Sequence, residues 1–422
     1  MKFFKNINIQ YLITFFFLLL TANANFLSSS TIGWFIILFL MIMVGIIKRQ
    51  FEKRDVMNFF WLSVGYLILV LFRFYVVNDL ETDYLVSDIV FLVKFALLSF
   101  VFCAILKEEA IAYIVKVVTH LTILSFVFYA LQLLAPEAMY KVFTAISFDT
   151  GNIIPGYSNF LLFTFTRGFH DYSNSGFVWE PGAFGCFLVI TLMFHFFLNK
   201  FKFDSTAIIL IVASITTFST TNYLGLLVLL MLAYRYRVRK INLWILILIP
   251  VIVLIIVFVP FLGDKIIDTY KEDMRDLNHL KVLEKYYRHN RMQIPLNRFS
   301  SMWHIINSFG DKLILGVSNK YNDFLNKSYP VNISNGIFDF FAKFGIVGFA
   351  YLLYRYIRFC SPYVLSPINV IFCILILLGL SFGEPILFLP FILIFLFLRK
   401  SQTVIGFKEK QKQKEGGKLA GI

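Results

Sequence analysis

Apolar runs of about 20 residues recur along almost the whole chain, and they constrain its fold more than any other feature. A run of this length matches the hydrocarbon thickness of a bilayer when it is helical. The chain is 59% hydrophobic and 15% charged, whereas soluble domains are roughly 45–50% apolar and about 25% charged. These values exclude a water-soluble globular protein. They predict an all-α, polytopic integral membrane helix bundle.

The apolar runs predict about twelve transmembrane helices and two long loops. The seventh and eighth runs are short and share the polar hinge Ser219-Thr220-Thr221-Asn222, so a single long span there is the alternative. The predicted spans are 9–27, 31–47, 56–77, 85–106, 110–134, 180–198, 204–219, 221–234, 242–261, 336–355, 364–382 and 385–398. The expected divisions are helices 1–5 in 1–134, a loop in 135–179, helices 6–9 in 180–261, a loop in 262–335, helices 10–12 in 336–398 and a basic tail in 399–422.

The distribution of Lys and Arg predicts the orientation of the chain. They cluster in alternate connections, around 48–54, 200–202, 235–240 and 355–358, and in the tail. The opposite short connections, near 28–30, 78–84 and 383–384, contain neither residue. By the positive-inside rule the basic connections are cytoplasmic, so both termini are cytoplasmic and both long loops are external. The net charge of +14 therefore reflects topology and contact with anionic lipid, and no nucleic acid is expected.

The chain offers no sequence motif for a cofactor or a metal. The four cysteines lie in or beside apolar runs, which favours neither a disulfide framework nor a thiolate site. Phosphate-binding glycine loops, a His-Glu-x-x-His helix and an Asp-x-Asp pair are all missing from the sequence. Near the N-terminus, Ala22-Asn23-Ala24 resembles a signal-peptide cleavage site, although an uncleaved first span is favoured. No cofactor and no metal are expected.

The first long loop ends in a cluster of residues able to do chemistry. Arg167, His170 and Asp171 precede the stretch Gly176–Phe184, in which Glu180 and Pro181 open a predicted span. Proline suits the first helical turn, and a carboxylate suits the positive end of the helix dipole, so capping alone explains this dipeptide.

Glu384-Pro385 opens the last predicted span in the same way. The dipeptide is therefore weak evidence by itself. Arg167, His170 and Asp171 precede Glu180, whereas nothing comparable precedes Glu384, which favours a functional role for Glu180.

The second long loop carries arginines and aromatic residues. Residues 264–288 have apolar positions at helical spacing, which predicts a helix on the membrane surface or against the bundle. Arg291 and Arg298 then precede a helix-like stretch with Trp303 and His304. A guanidinium binds phosphate bidentately, so these arginines suit a lipid pyrophosphate, with contacts to phospholipid headgroups as the alternative.

Ser334-Asn335-Gly336 leads into the tenth span. In that span, Asp339 and Lys343 are four residues apart, on one helix face, and a mutual ion pair is expected.

These residues resemble the integral-membrane polysaccharide polymerases of the Wzy type, which form one superfamily with the O-antigen ligases. Four features match in order over most of the chain. They are Arg167 with Gly176–Phe184, the Ser/Thr turn Phe218–Tyr223, Arg298 before a Trp-containing helix, and Asn335-Gly336 followed by Gly345-x-x-Gly348.

The resemblance implies a bacterial inner-membrane enzyme that transfers a growing glycan from undecaprenyl pyrophosphate to a lipid-linked repeat unit, with inversion. The expected partners are these lipid-linked glycans, the bilayer, a chain-length regulator and a flippase. Arg167 and Arg298 are expected to neutralise the leaving pyrophosphate. Glu180 is the expected base for the acceptor hydroxyl, with His170 as its rival. Substrate binding is expected at Trp179, Arg291, Trp303, His304 and Asn335.

Two other functions remain open at this point. Ligases carry a histidine directly before the Asn of the tenth-span motif, and here that position is Ser334, which favours a polymerase over a ligase unless His304 or His170 supplies the imidazole. A transporter or flippase would need repeated halves and a charged cavity. Its only support is a thin series of intramembrane charges, Arg73, Asp88, Lys94 and Lys116.

Overall fold

The computed structural model describes residues 8–76, 82–146, 157–168, 170–238, 260–289, 293–328, 331–364 and 366–399. Within these ranges the chain is mostly helical, with two small two-stranded sheets, so the predicted all-α class is confirmed. The N-terminal part contains α1 (Ile9–Thr21), α2 (Phe26–Ser29), α3 (Thr31–Ile47), α4 (Lys53–Val76), α5 (Thr82–Phe91), a π-helical turn (Leu92–Ala96), α6 (Leu97–Leu106), α7 (Ala110–Leu134) and α8 (Pro136–Ile146).

The remaining elements follow the first predicted loop. They are β1 (Tyr157–Phe160), β2 (Phe163–Thr166), α9 (Pro181–Asn199), α10 (Ser205–Thr216), α11 (Thr220–Val238), α12 (Pro260–Asn278), α13 (Leu280–His289), β3 (Ile294–Leu296), α14 (Arg298–Phe309), α15 (Tyr321–Ser328), β4 (Val331–Ile333), α16 (Gly336–Val364), α17 (Pro367–Gly383) and α18 (Pro390–Leu393). β1 and β2 pair antiparallel, whereas β3 and β4 pair parallel.

Four helical segments in the described residues are long and apolar enough to cross a membrane: Lys53–Val76, Thr82–Leu134, Pro181–Asn199 and Gly336–Val364. Four shorter apolar helices, α1, α3, α10 and α17, accompany them. These helices make the chain a membrane protein. α10 and α11 are separate helices that join at Thr217-Phe218-Ser219, close to the predicted polar hinge. The ninth predicted span lies mostly outside the described residues.

The twelfth predicted span is wrong as a regular helix. Residues 385–398 contain only α18 and a short 3-10 turn, Ile394–Leu396. Pro385 and Pro390 lack an N–H and resist a continuous helix. Non-helical backbone is tolerated at membrane depth where protein surrounds it, and α18 and the turn after it are buried throughout.

One large apolar core fills the bundle, and α9 is buried along almost its whole length. Aromatic rings bind the layers together: Phe187 stacks on Phe391 at 4.2 Å between centroids, and Phe17 stacks on Phe102 at 4.0 Å. A separate small core lies under the second predicted loop, where Leu280, Ile305 and Tyr321 are buried. Residues 264–288 are thus helical as predicted, and the C-terminal part of their apolar face packs on this small core.

Two buried ion pairs satisfy most of the charge inside the bundle. Arg73 of α4 contacts Asp88 of α5 at 2.5 Å and donates to the carbonyl of Lys343 at 2.5 Å. Lys343 contacts Asp339 at 2.9 Å, so the predicted i, i+4 pair is confirmed. Tyr321 donates to the same carboxylate at 2.7 Å. The network joins α4 and α5 to α16, as expected for charges that are costly without partners.

Arg73→Met is expected to lower the free energy of unfolding by about 3–5 kcal/mol, because it leaves Asp88 buried without its cation. Arg167→Met is the matched control. Arg167 contacts Glu137 at the same 2.5 Å but is 48% exposed, so its loss should cost less than about 1 kcal/mol. Thermal unfolding of the purified protein in detergent measures both, and equal shifts would contradict the account.

Candidate functional site

The parallel pairing of β3 with β4 brings the two motif residues of the second predicted loop together. β3 ends at Leu296, directly before α14, and β4 ends at Ile333, directly before α16. Their register pairs Leu296 with Ile333. Arg298 and Asn335 therefore leave neighbouring strands side by side.

Asn335 is fully buried and joins the two helix starts. Its side-chain amide donates to the Arg298 carbonyl at 3.1 Å. Its side-chain oxygen accepts from the backbone N–H groups of Ile337 and Phe338, each at 3.1 Å, which caps α16. The bonds explain why an asparagine suits this position, because its short side chain carries both N–H donors and a carbonyl acceptor.

Glu180 precedes α9 as predicted, with Pro181 in the first helical turn. Its side chain makes no capping hydrogen bond, although it occupies the N-cap position. One carboxylate oxygen instead accepts from the indole N–H of Trp179 at 2.8 Å. Capping therefore does not account for the carboxylate, which the indole holds at the start of α9.

The second Glu-Pro dipeptide meets the first. Glu384 is buried at the end of α17, and a Cβ added to Gly182 would overlap its carboxylate. A Cβ on Gly336 would overlap the Glu384 backbone carbonyl. Two glycines thus allow the starts of α9 and α16 to approach Glu384 closely, one at its carboxyl group and the other at its backbone carbonyl.

Arg298 completes the cluster from the opposite element. Its guanidinium lies 3.9 Å from the Glu384 carboxylate and donates to the Gly383 carbonyl at 3.4 Å. Its side chain remains 39% exposed. The guanidinium therefore still has donors that face outward, where an anionic ligand can approach.

The Ser/Thr turn predicted from Phe218 to Tyr223 packs against this cluster. The Asn222 amide donates to the carbonyl of Gly182 at 3.0 Å. Thr221 lies against Gly383, where an added Cβ would overlap its side chain. The turn thereby fixes the start of α9 and the end of α17 relative to each other.

The electrostatics of the cluster separate the two glutamates. Burial raises the pKa of Glu384 well above its usual range, the neighbouring Glu180 carboxylate raises it further, and Arg298 partly offsets both effects. These effects favour the protonated form of the Glu384 carboxyl group. Two carboxyl groups in such different surroundings, beside a guanidinium, can accept a proton and bind an anion at the same place. The starts of α9 and α16 add positive dipole ends.

Two sequence-predicted residues lie in a different place. Arg167 pairs with Glu137 of α8 at 2.5 Å and stacks over Tyr140. The backbone carbonyl of His170 accepts from Gln132 of α7 at 3.1 Å. Both residues thus contact α7 or α8, away from the cluster, and the functional roles predicted for them stay predictions.

The remaining predicted site residues lie on or near α14. Trp303 is 39% exposed, whereas His304 is buried and burial lowers its pKa, which favours a neutral imidazole. The Ser334 hydroxyl donates to the Leu296 carbonyl at 2.7 Å, so it fastens the strand ends. Arg291 lies outside the described residues.

Sequence reasoning missed Glu384 and Asn222 as members of the cluster. The available signal was the repeated Glu-Pro dipeptide. The same dipeptide before two predicted spans fits two glutamate carboxyl groups that meet at one end of a helix bundle. The signal for Asn222 was weaker, because the sequence does not indicate which group a buried amide after a Ser/Thr turn will bond to.

Glu384→Gln is expected to remove a pH dependence of stability. The raised pKa of Glu384 gives stability that is complete below the pKa of the unfolded chain and is lost as pH rises through the folded pKa. The glutamine variant cannot ionise, so it should lose less stability on alkalinisation than the wild type. Thermal unfolding across pH measures this, with Glu137→Gln as an exposed control. An unchanged profile in Glu384→Gln would refute the assignment.

Comparison with known proteins gives one family match. Residues 205–353 match the model of the O-antigen ligase family, a stretch that contains Arg298, Asn335 and the turn at Asn222. Glu180 and Glu384 lie outside the matched stretch. No curated protein and no solved structure matches the chain. The family match confirms the resemblance to the O-antigen ligase superfamily, which includes the Wzy polymerases.

Proposed function

We propose that the chain is a polysaccharide polymerase that transfers a growing glycan from undecaprenyl pyrophosphate to a lipid-linked oligosaccharide repeat unit. One observation carries the proposal: Glu180, Glu384 and Arg298 meet where α9, α16 and α17 begin or end. A base and a group that binds pyrophosphate are the two requirements of this reaction. The cluster offers both.

The roles follow from the charges. The Glu180 carboxylate takes the proton of the acceptor hydroxyl while that oxygen forms a bond to the anomeric carbon. The bond from that carbon to the pyrophosphate oxygen breaks, and the configuration inverts. Arg298 neutralises the negative charge that leaves with the pyrophosphate. The proton on Glu180 passes to solvent and resets the site.

Glu384 supports Glu180 in this mechanism. Because the Glu384 carboxyl group is buried and its pKa is raised, its neutral form is favoured beside Glu180. A neutral neighbour donates a hydrogen bond and adds no like-charge repulsion. Trp179, through its 2.8 Å bond, orients the Glu180 carboxylate.

The outlying residues are proposed to bind the lipid-linked glycans rather than to touch the reacting atoms. Arg167 and His170 lie in the loop before Glu180. Trp303 is exposed on α14, the helix that begins at Arg298. Arg291 belongs to the same set on sequence grounds. Exposed guanidinium and aromatic groups suit phosphate oxygens and sugar faces, respectively.

The proposed setting is the bacterial cytoplasmic membrane. Both termini are cytoplasmic by the distribution of Lys and Arg, and the cluster faces outward. The expected partners are a flippase that supplies the repeat unit and a chain-length regulator. The family match does not separate a polymerase from a ligase.

Ser334 favours the polymerase over the ligase. Its hydroxyl is occupied by the Leu296 carbonyl, so it does not act as the base that a histidine would be at this position. A transporter is less well supported, because Arg73 and Asp88 neutralise each other in a buried pair.

Deletion of the gene is expected to leave a single repeat unit on the cell surface glycan. Electrophoresis of that glycan measures the chain length. A full ladder in the mutant would refute a polymerase. A normal lipid-linked polymer that never reaches its terminal acceptor would instead identify a ligase.

Glu180→Ala and Arg298→Ala, restored to the deletion strain, are each expected to abolish polymerisation while the protein remains inserted. Loss of one such electrostatic group slows catalysis by about 10²–10³-fold. Arg298→Lys should recover little, because an ammonium does not bind pyrophosphate bidentately. Arg167→Ala is expected to abolish polymerisation as well, through loss of substrate binding.

The control for these variants is Arg275→Ala, an exposed arginine of α12, which should give a normal ladder. Glycan chain length by gel and protein level by immunoblot are compared in each strain. A near-normal ladder in Glu180→Ala would show that Glu180 only marks the start of α9 and is not the base.

A further inference from the structure

One acidic residue of α12 lies on the apolar face of that helix. Asp273 follows Tyr270 by three residues and precedes Leu277 by four, a spacing that puts all three on one face. Asp273 is fully buried, whereas the adjacent Glu272 is exposed. A buried carboxylate is costly unless it accepts hydrogen bonds. The partners of Asp273 therefore indicate what it does.

Those partners are backbone N–H groups at the start of α14, the helix that begins at Arg298. One carboxylate oxygen of Asp273 accepts from the N–H of Phe299 at 2.9 Å and from that of Ser300 at 3.3 Å. Asn297 occupies the N-cap position but makes no side-chain capping bond. A residue that lies 26 positions before Phe299 therefore caps α14 in its place.

Aromatic rings join the same parts of the molecule. Tyr270 packs edge-on against Phe299 with 5.4 Å between ring centroids, and Phe299 packs edge-on against Phe382 at 5.6 Å. Phe382 directly precedes Gly383, whose carbonyl accepts from the Arg298 guanidinium at 3.4 Å. The start of α14 is thus enclosed between α12 and the end of α17.

These contacts fix the backbone of Arg298 on both sides. Its carbonyl accepts from the Asn335 amide at 3.1 Å, and the N–H groups of the next two residues donate to Asp273. The Arg298 side chain is 39% exposed and reaches to 3.9 Å from the Glu384 carboxylate. Packing alone does not hold such a side chain, so the place of its guanidinium depends on where its backbone is fixed.

Asp273 also occupies the positive end of α14. The first N–H groups of a helix attract anions. At α14 two of these groups are bonded to the buried carboxylate. An anion at the cluster therefore has the guanidinium of Arg298 to bind, and not these two N–H groups.

We propose that Asp273 is a positioning residue for Arg298: its carboxylate holds the start of α14 so that the guanidinium reaches the leaving pyrophosphate. The inference rests on the proposed function for the identity of the anion. Asp273 acts through the backbone of α14 and touches no substrate. A misplacement of about 1 Å can slow a reaction by about 10²-fold, so loss of the cap is expected to affect the reaction as well as the fold.

The test compares two substitutions of Asp273 in the full chain, reconstituted in lipid vesicles with the lipid-linked repeat unit. Asp273→Ala removes both capping bonds. Asp273→Asn keeps a side-chain oxygen that can accept them, and Asn caps helices about as well as Asp. The second oxygen of Asp273 accepts no hydrogen bond in the part of the chain that the structure describes, so the amide nitrogen takes its place without breaking one.

Asp273→Ala is expected to slow the release of undecaprenyl pyrophosphate by about 10- to 100-fold, whereas Asp273→Asn should stay within about threefold of the wild type. In an Arg298→Ala background, Asp273→Ala should change the residual rate by less than about twofold, because the group that it positions is gone. If Asp273→Ala is not inserted, Asp273→Ser replaces it, since its shorter side chain also loses reach to Phe299.

Asp204→Ala is the matched control for the loss of an aspartate cap. Asp204 accepts from the N–H of Ala207 at 3.0 Å at the start of α10. The 12 residues of α10 separate it by about 18 Å from the Ser/Thr turn that packs against the cluster. This substitution should lower the melting temperature but leave the release rate per inserted molecule unchanged.

Binding of inorganic pyrophosphate to the same proteins separates this proposal from the proposed function. The affinity should fall in Asp273→Ala and in Arg298→Ala, and it should be retained in Asp273→Asn. If the wild type forms no glycan but pyrophosphate binding shows this pattern, the polymerase is refuted and the positioning role stands.

Three results would overturn the proposal. The first is a wild-type release rate in Asp273→Ala. The second is an equal loss in Asp273→Asn and Asp273→Ala, which would assign the effect to the charge of the carboxylate and not to capping. The third is a further tenfold loss when Asp273→Ala is added to Arg298→Ala, which would show that Asp273 acts independently of the arginine.

Discussion

The close approach of Glu384 to Gly182 and Gly336 is the constraint on which the rest of the structure depends. A side chain at either glycine would push α9 or α16 away from the end of α17. With both glycines present, one buried carboxyl group meets Glu180 and the guanidinium of Arg298. The core of stacked aromatic rings then holds these three helix ends at a fixed separation. The candidate functional side chains and the closest approach of the helices thus lie at the same place in the bundle.

Ion pairs away from the cluster hold α4 against the rest of the bundle. Arg73 and Asp88 form a buried pair that fastens α4 to α5 and α16, and Arg399 fastens the other end of α4 through Glu52 and Asp55. Breaking one partner of such a buried pair is costly, so the arrangement is rigid. It leaves an apolar wall between the two ends.

Much of the fold was predictable because bilayer thickness fixes the length of apolar runs. The start of α9 at Pro181 and the Asp339–Lys343 pair followed from local spacing. The last predicted span failed because hydropathy does not register what its two prolines do to a helix inside a protein. The membership of Glu384 in the cluster was not predictable, since it depends on contacts between helices distant in sequence. The pairing of Arg167 with Glu137 was not predictable for the same reason, because the two residues lie 30 positions apart.

The central claim is that the cluster transfers a glycan from a lipid pyrophosphate. The most direct measurement reconstitutes the purified chain with the lipid-linked repeat unit that a deletion strain accumulates. Glycan length and released undecaprenyl pyrophosphate are then quantified together. The account predicts one pyrophosphate released for each glycosidic bond formed, and longer chains on the remaining lipid. Translocation of the repeat unit without any bond formed or pyrophosphate released would contradict it.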